Sequence, residues 1–164
     1  MAAKDMEFDI HGNLKPYGSI EANLQEFEEV FVTGFPASSG RQDIWLHFNV
    51  FLEEFKNDIM QEGFYMWLNG SFVTRKANPR DLDLVIFLDF GVMERAENKL
   101  SRFKSLAYQK EKSLDIYFSS VYPTGHRYNI RSVLDAMEWL DLFSHSRPQK
   151  HTRKRPKGFI KIAF

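Results

Sequence analysis

The sequence contains no cysteine. Disulfide frameworks, cysteine zinc sites, iron–sulfur ligation and thiol nucleophiles are therefore excluded, and any metal has to be held by oxygen or imidazole. No apolar run approaches the roughly 18 residues needed to span a bilayer. The N-terminal stretch MAAKDMEFDIHGN lacks the apolar segment of a secretory signal, so a cytoplasmic protein without membrane contact is expected. Net charge is missing too, since 22 Lys and Arg offset 22 Asp and Glu. That zero combines two unlike parts: residues 1–146 hold 15 basic and 22 acidic side chains, whereas residues 147–164 hold seven basic ones and no acid. Internal repeats and low-complexity tracts are absent, which removes solenoids and propellers.

What is present is the composition of one soluble domain: 164 residues, 43% hydrophobic and 27% charged. Residues 8–18 mix short apolar pieces with Gly and Pro and read as an arm on the domain surface. In residues 19–32, Leu24, Phe27 and Phe31 recur at helical spacing, which predicts a short amphipathic helix. Ser39 with Gln42 fits a capping box that opens a helix to about Met60. Trp45, Phe48, Leu52, Phe55 and Ile59 line one face of it, and Gly63 is its stop. FYMWLNGS predicts a buried strand entering a tight turn, DLDLVIFLDF a strand buried on at least one side, residues 92–109 helix, and SLDIYFSSVY a third strand. A last amphipathic helix, IRSVLDAMEWLDLF, takes Asn129 as its cap and aligns Ile130, Val133, Met137 and Leu140 on one side. The order predicts a single α/β (α+β) domain with a small mixed sheet flanked by helices. Residues 1–63 would form the arm and N-terminal helices, 64–120 the core, and 121–164 the last helix and a basic tail.

Three acids stand in apolar strand contexts, where an unpaired carboxylate costs several kcal/mol. They are Asp81, Asp83 and Asp115. Strand side chains alternate faces, so Asp81 and Asp83 project to the same side, and a neighbouring strand would add Asp115. Converging carboxylates raise one another's pKa unless a cation neutralises them, and an all-oxygen set suits Mg²⁺ or Mn²⁺. Upstream, Gly70 and Ser71 stand between a strand and the first turn of a helix, where glycine permits close approach of backbone to a phosphate and helical N–H groups face it. The five histidines show no HxH or HExxH spacing, so an imidazole metal site is not expected.

These residues carry a resemblance. NGSFVTRKANPRDLDLVIF followed by LDIYF resembles the nucleotidyltransferase superfamily that includes DNA polymerase beta and the minimal nucleotidyltransferases of bacterial toxin–antitoxin operons. Its pattern is a strand, then Gly-Ser or Gly-Gly opening a helix, then Asp-x-Asp on the next strand and a third acid on a later one. The flanks FDIHGNLKPYGSIEANLQEF and RPKGFIKI also look like a small bacterial family of uncharacterised proteins with this core. The resemblance implies the nucleotidyltransferase fold and transfer of a nucleoside monophosphate from a nucleoside triphosphate to a hydroxyl of a protein or RNA acceptor, as in an antitoxin acting on a toxin partner. It implies two metal ions, Mg²⁺ or Mn²⁺, on Asp81, Asp83 and Asp115, and the terminal phosphates on Gly70 and Ser71. The chain departs from the minimal pattern where Ala-Arg-Gly is usual and Val73, Thr74 and Arg75 stand, and where Arg80 replaces a serine before the first acid. Arg75 and Arg80 then become candidate phosphate contacts. The alternative reading is a binding module of the same fold with vestigial carboxylates, sequestering a partner protein or nucleotide. The basic run from Arg147 to Lys161 suits nucleic-acid phosphates, or an acidic surface of the domain or of a partner.

Overall fold

The computed structural model describes residues 6–59, 63–147 and 153–164. Three apolar strands organise it. β4 (Tyr65–Asn69) pairs antiparallel with β5 (Leu82–Asp89), and β5 pairs parallel with β6 (Leu114–Val121). Along β5 the even-numbered Leu82, Leu84, Ile86 and Leu88 enter the main core, while Val85 and Phe87 join a smaller cluster on the opposite face. Both faces of β5 are therefore covered, which accounts for its near-continuous apolar sequence.

Two further strands widen the sheet beyond the sequence expectation. β7 (Gly158–Ala163) pairs antiparallel with β4, and β3 (Gly18–Glu21) pairs parallel with β7, giving the order β3-β7-β4-β5-β6. The segment read as the end of a basic tail is thus an interior strand, with Phe159, Ile160 and Ile162 buried. The domain is mixed α+β, with one five-stranded mixed sheet flanked by helices.

The main-core face packs against α1 (Leu24–Glu28), α2 (Arg41–Ile59), and α3 (Phe90–Arg95), α4 (Glu97–Lys104) and α5 (Leu106–Lys112), which together occupy the predicted helical stretch. The first predicted helix starts later than its pattern suggested, because Ser19 and Ile20 belong to β3. Asn23 opens α1 with a reciprocal capping box: its side chain accepts from the Glu26 N–H, and the Glu26 carboxylate accepts from the Asn23 N–H. The box expected at Ser39 and Gln42 does not form. Gly40 turns left-handed with φ 69°, α2 begins at Arg41, and the Ser39 hydroxyl accepts from the Arg41 N–H. Met60, the predicted end of this helix, lies outside the described residues. The arm of residues 8–18 is a small hairpin, β1 (Glu7–Phe8) with β2 (Leu14–Lys15), and Leu14 is wholly buried, so it is anchored in the core.

α6 (Asn129–Phe143) covers part of the opposite face through Ala136, Trp139 and Phe143. Its predicted core side, Ile130, Val133, Met137 and Leu140, is instead exposed. Asn129 is not its cap; Tyr128 precedes the helix, and the Asn129 amide donates to the Tyr122 carbonyl.

Arg41 ties the N-terminal layer to the loop after β4. Its side chain is fully buried and donates to four carbonyls: Nη1 to Phe31 (2.8 Å) and Phe72 (2.7 Å), and Nη2 to Thr74 (2.9 Å) and Lys76 (2.6 Å). The guanidinium lies over the Phe35 ring at 3.7 Å. Burial holds its pKa down to about 10. A lysine has neither the planar fork nor enough donors for four carbonyls. Arg41→Lys is expected to lower stability by about 2–4 kcal/mol in urea unfolding; a change within about 0.5 kcal/mol, the range of ordinary surface substitutions, would contradict the clamp.

Candidate metal and nucleotide site

On the face carrying α6, sheet register places three polar residues in one row. Asn69 of β4 lies opposite Asp83 of β5, which lies opposite Asp115 of β6. Asp81 stands just before β5 and bears on Asp83 through its charge. The Asp83 carboxyl is pushed up to about 6, first by burial, then by the charges of Asp81 and Asp115 and by a hydrogen bond to Asp115, against the pull of Arg147. Asp81 and Asp115 thus both act on Asp83 through their charge. Among the described residues, however, no three His, Asp or Glu side chains gather closely enough to hold a metal ion by themselves.

Gly70 ends β4 with φ 80° and lies against Asp83: a Cβ at this position would fall 2.7 Å from the Asp83 Cγ. Only glycine suits both the dihedral and the approach. Ser71 opens a single 3₁₀ turn, Ser71–Val73, and not the longer helix that the phosphate-cradle reading expected. Its carbonyl accepts from the Thr74 hydroxyl at 2.7 Å, which tightens the turn. Arg75 and Arg80 are not brought to the row. Both side chains are exposed, and Arg75 is fixed through its backbone N–H, which donates to the Gly12 carbonyl at 2.8 Å.

The cations that bear on the carboxylates come from the C-terminal segment. Lys157 is 5% exposed and donates from Nζ to the Gly70 carbonyl at 2.8 Å. Burial brings its pKa down to about 8, with Asp83 opposing and Arg147 reinforcing that shift. Tyr117 donates to Asp115 Oδ2 at 3.1 Å, and its ring meets Trp139 of α6. Asn69 donates from Nδ2 to the Phe143 carbonyl at the end of α6, leaving its Oδ1 buried without a partner. Asn69 and Lys157 went unread because their roles depend on register and on the return of the chain end. The one local signal was an asparagine closing an apolar strand immediately before Gly70.

The donor set fits a hard divalent cation in chemistry: carboxylate oxygens and, in the same row, an amide oxygen without a partner among the described residues. Asp83 and Asp115, with Asp81 before them in the chain, are the residues that would hold it, and they would have to draw closer around it than they stand here. A cation there would relieve the crowding that raises Asp83.

An α+β domain with a carboxylate row at the end of its sheet is the class that fold and site define. The chain belongs to DUF6932, a family of unknown function, whose sequence profile matches residues 6–163. No curated protein matches it. No solved structure matches it either.

With the Asp83 pKa near 6 in the fold against 3.8 for the free side chain, the native state holds this proton more tightly than the unfolded chain does. The resulting stabilisation is full below about pH 4 and is lost as pH rises toward and through about 6. Without divalent cations, Asp83→Asn should therefore be more stable than the parent by about 1–2 kcal/mol at pH 7.5, and nearly equal to it at about pH 4. Urea unfolding at the two pH values checks this, and a variant less stable at pH 7.5 would contradict it.

Proposed function

We propose that the protein is a metal-dependent nucleotidyltransferase that moves a nucleoside monophosphate from a nucleoside triphosphate to a hydroxyl group. The observation that carries this reading is the Asp83 carboxylate held between the backbone of Gly70 and the carboxylate of Asp115. In this reading the acceptor oxygen bonds to the α-phosphorus as the bond to the bridging oxygen breaks. Pyrophosphate leaves, and the hydroxyl proton is lost toward Asp115. Asp81 and Asp83 would hold divalent ions, Mg²⁺ or Mn²⁺, whose chemistry would be to neutralise charge on the reacting phosphate oxygens. Gly70 and Ser71 lie along the terminal phosphates, with Lys157 fixing the Gly70 carbonyl and adding positive charge beside them. Catalysis is then positioning and charge neutralisation, with no protein nucleophile needed.

Support for the acceptor class comes from the domain's size. The family domain itself, residues 6–163, is small for holding both a template and a primer, so a protein hydroxyl, such as that of a toxin partner, or an RNA end presented by a partner fits best. One other reading is a binding module of this fold that holds a nucleotide or partner without transfer; the exposed apolar side of α6 favours it, since it offers a partner a surface away from the carboxylates.

Incubation with each α-labelled nucleoside triphosphate, Mg²⁺ or Mn²⁺, and cell extract separates the two. The expected outcome is label on a protein or RNA, abolished by chelator and reduced at least about 100-fold in Asp83→Asn. No transfer with any nucleotide under either metal, together with nucleotide binding that survives Asp83→Asn, would overturn the enzyme.

A further inference from the structure

The solvent face of α6 carries most of the apolar side chains that its sequence pattern assigns to a core. Ile130, Val133, Leu134, Met137, Leu140 and Leu142 are 44 to 61% exposed. Ile130, Val133, Met137 and Leu140 follow a three–four–three spacing, the seam of a contact between two helices. Beside that seam a groove of about 540 Å³ runs along α6, walled by Trp67, Tyr122 and Pro123. Six such half-exposed side chains carry roughly 400 Å² of apolar surface, a level at which a patch on a monomer usually marks an interaction site.

We propose that this face is an interface between two copies of the chain, with α6 packed antiparallel on α6 about a two-fold axis near Leu134. The charges along the helix favour a second copy in that orientation. Arg127 and Arg131 stand at its N-terminal end, Glu138 and Asp141 at its C-terminal end, and all four are exposed. Antiparallel pairing sets Arg131 of each copy beside Glu138 of the other around an apolar centre of Leu134 and Met137, and brings Arg127 to Asp141, which in its own chain already meets Lys154 and His145 at 3.4 Å, while the exposed Asp135 lies at the edge of that centre. A parallel pair would oppose like charges. The apolar side chains supply about half of the roughly 800 Å² per partner that a stable interface buries, and the groove walls and charged rim extend that area. The interface is self-complementary, as a two-fold contact requires. It is independent of the chemistry proposed for the carboxylate row.

Sedimentation of the full chain from about 1 to about 300 µM gives the test. The expected species is a dimer of twice 19.3 kDa. Leu134→Lys with Met137→Lys should dissociate it while leaving the urea midpoint of the monomer within ordinary surface limits. Arg127→Glu should weaken it at least about tenfold, and adding Asp141→Arg should restore it. The restoring pair keeps the test open if the lysine variant misfolds. A monomer at every concentration, including one that associates only with a different protein, would overturn the proposal. So would a dimer indifferent to both sets of substitutions.

Discussion

The parallel pairing of β5 with β6 sets Asp83 opposite Asp115, and the electrostatics at this end of the sheet follow from that juxtaposition of carboxyl groups. A strand buried on both faces tolerates a carboxylate only where something offsets it. Here the offset is incomplete. The Asp83 carboxyl sits near 6, with Asp81 and Asp115 both raising it, and among the described residues Arg147 and Lys157 act on it through space without a closed ion pair. Protein groups that would be costly as permanent neighbours become favourable when a divalent cation joins them.

The rest of the fold reads as a frame around this row. Arg41 gathers carbonyls from Phe31, Phe72, Thr74 and Lys76, so the helix layer and the turn after Gly70 are fixed to one another. From the other end of the chain, β7 enters between β3 and β4 and delivers Lys157 to the Gly70 carbonyl. Asn69 connects the row to the last turn of α6, and Tyr117 connects it to Trp139. The turn at Gly70 is thus held from both termini. A three-residue 3₁₀ turn, with little order of its own, can keep its place there.

How much of this was legible follows from where the signals are local. β4, β5 and β6 carry apolar runs of strand length with β-branched and aromatic residues, and the two acids of DLDL stand out against them. The α+β class was readable from those elements and the helices between them. β3 offers only Ile20 as a buried residue in four, and merges into the helical pattern that follows. β7 was hidden by composition, because a dense basic run precedes GFIKIA and made the whole end look like a solvated tail. Nothing local states that the last strand lies inside the sheet; that depends on long-range pairing. For the same reason the acids Asp81, Asp83 and Asp115 and the glycine Gly70 stood out as candidates in the sequence, whereas the approach of Lys157 and Asn69 to them did not. Arg75 and Arg80 had the right charge but sit on a loop that faces solvent. On α6 the pattern gave a helix with an apolar side, and a periodicity alone does not say whether that side meets its own domain or another surface.

A divalent cation on the carboxylate row is the central claim, and the direct measurement is anomalous scattering from crystals grown with Mn²⁺ and a nucleoside triphosphate that is not hydrolysed between its α- and β-phosphates. The account predicts an anomalous peak between the Asp83 and Asp115 carboxylates, with the terminal phosphates along Gly70 and Ser71. Ordered nucleotide bound elsewhere, or a row without manganese at saturating concentration, would contradict it.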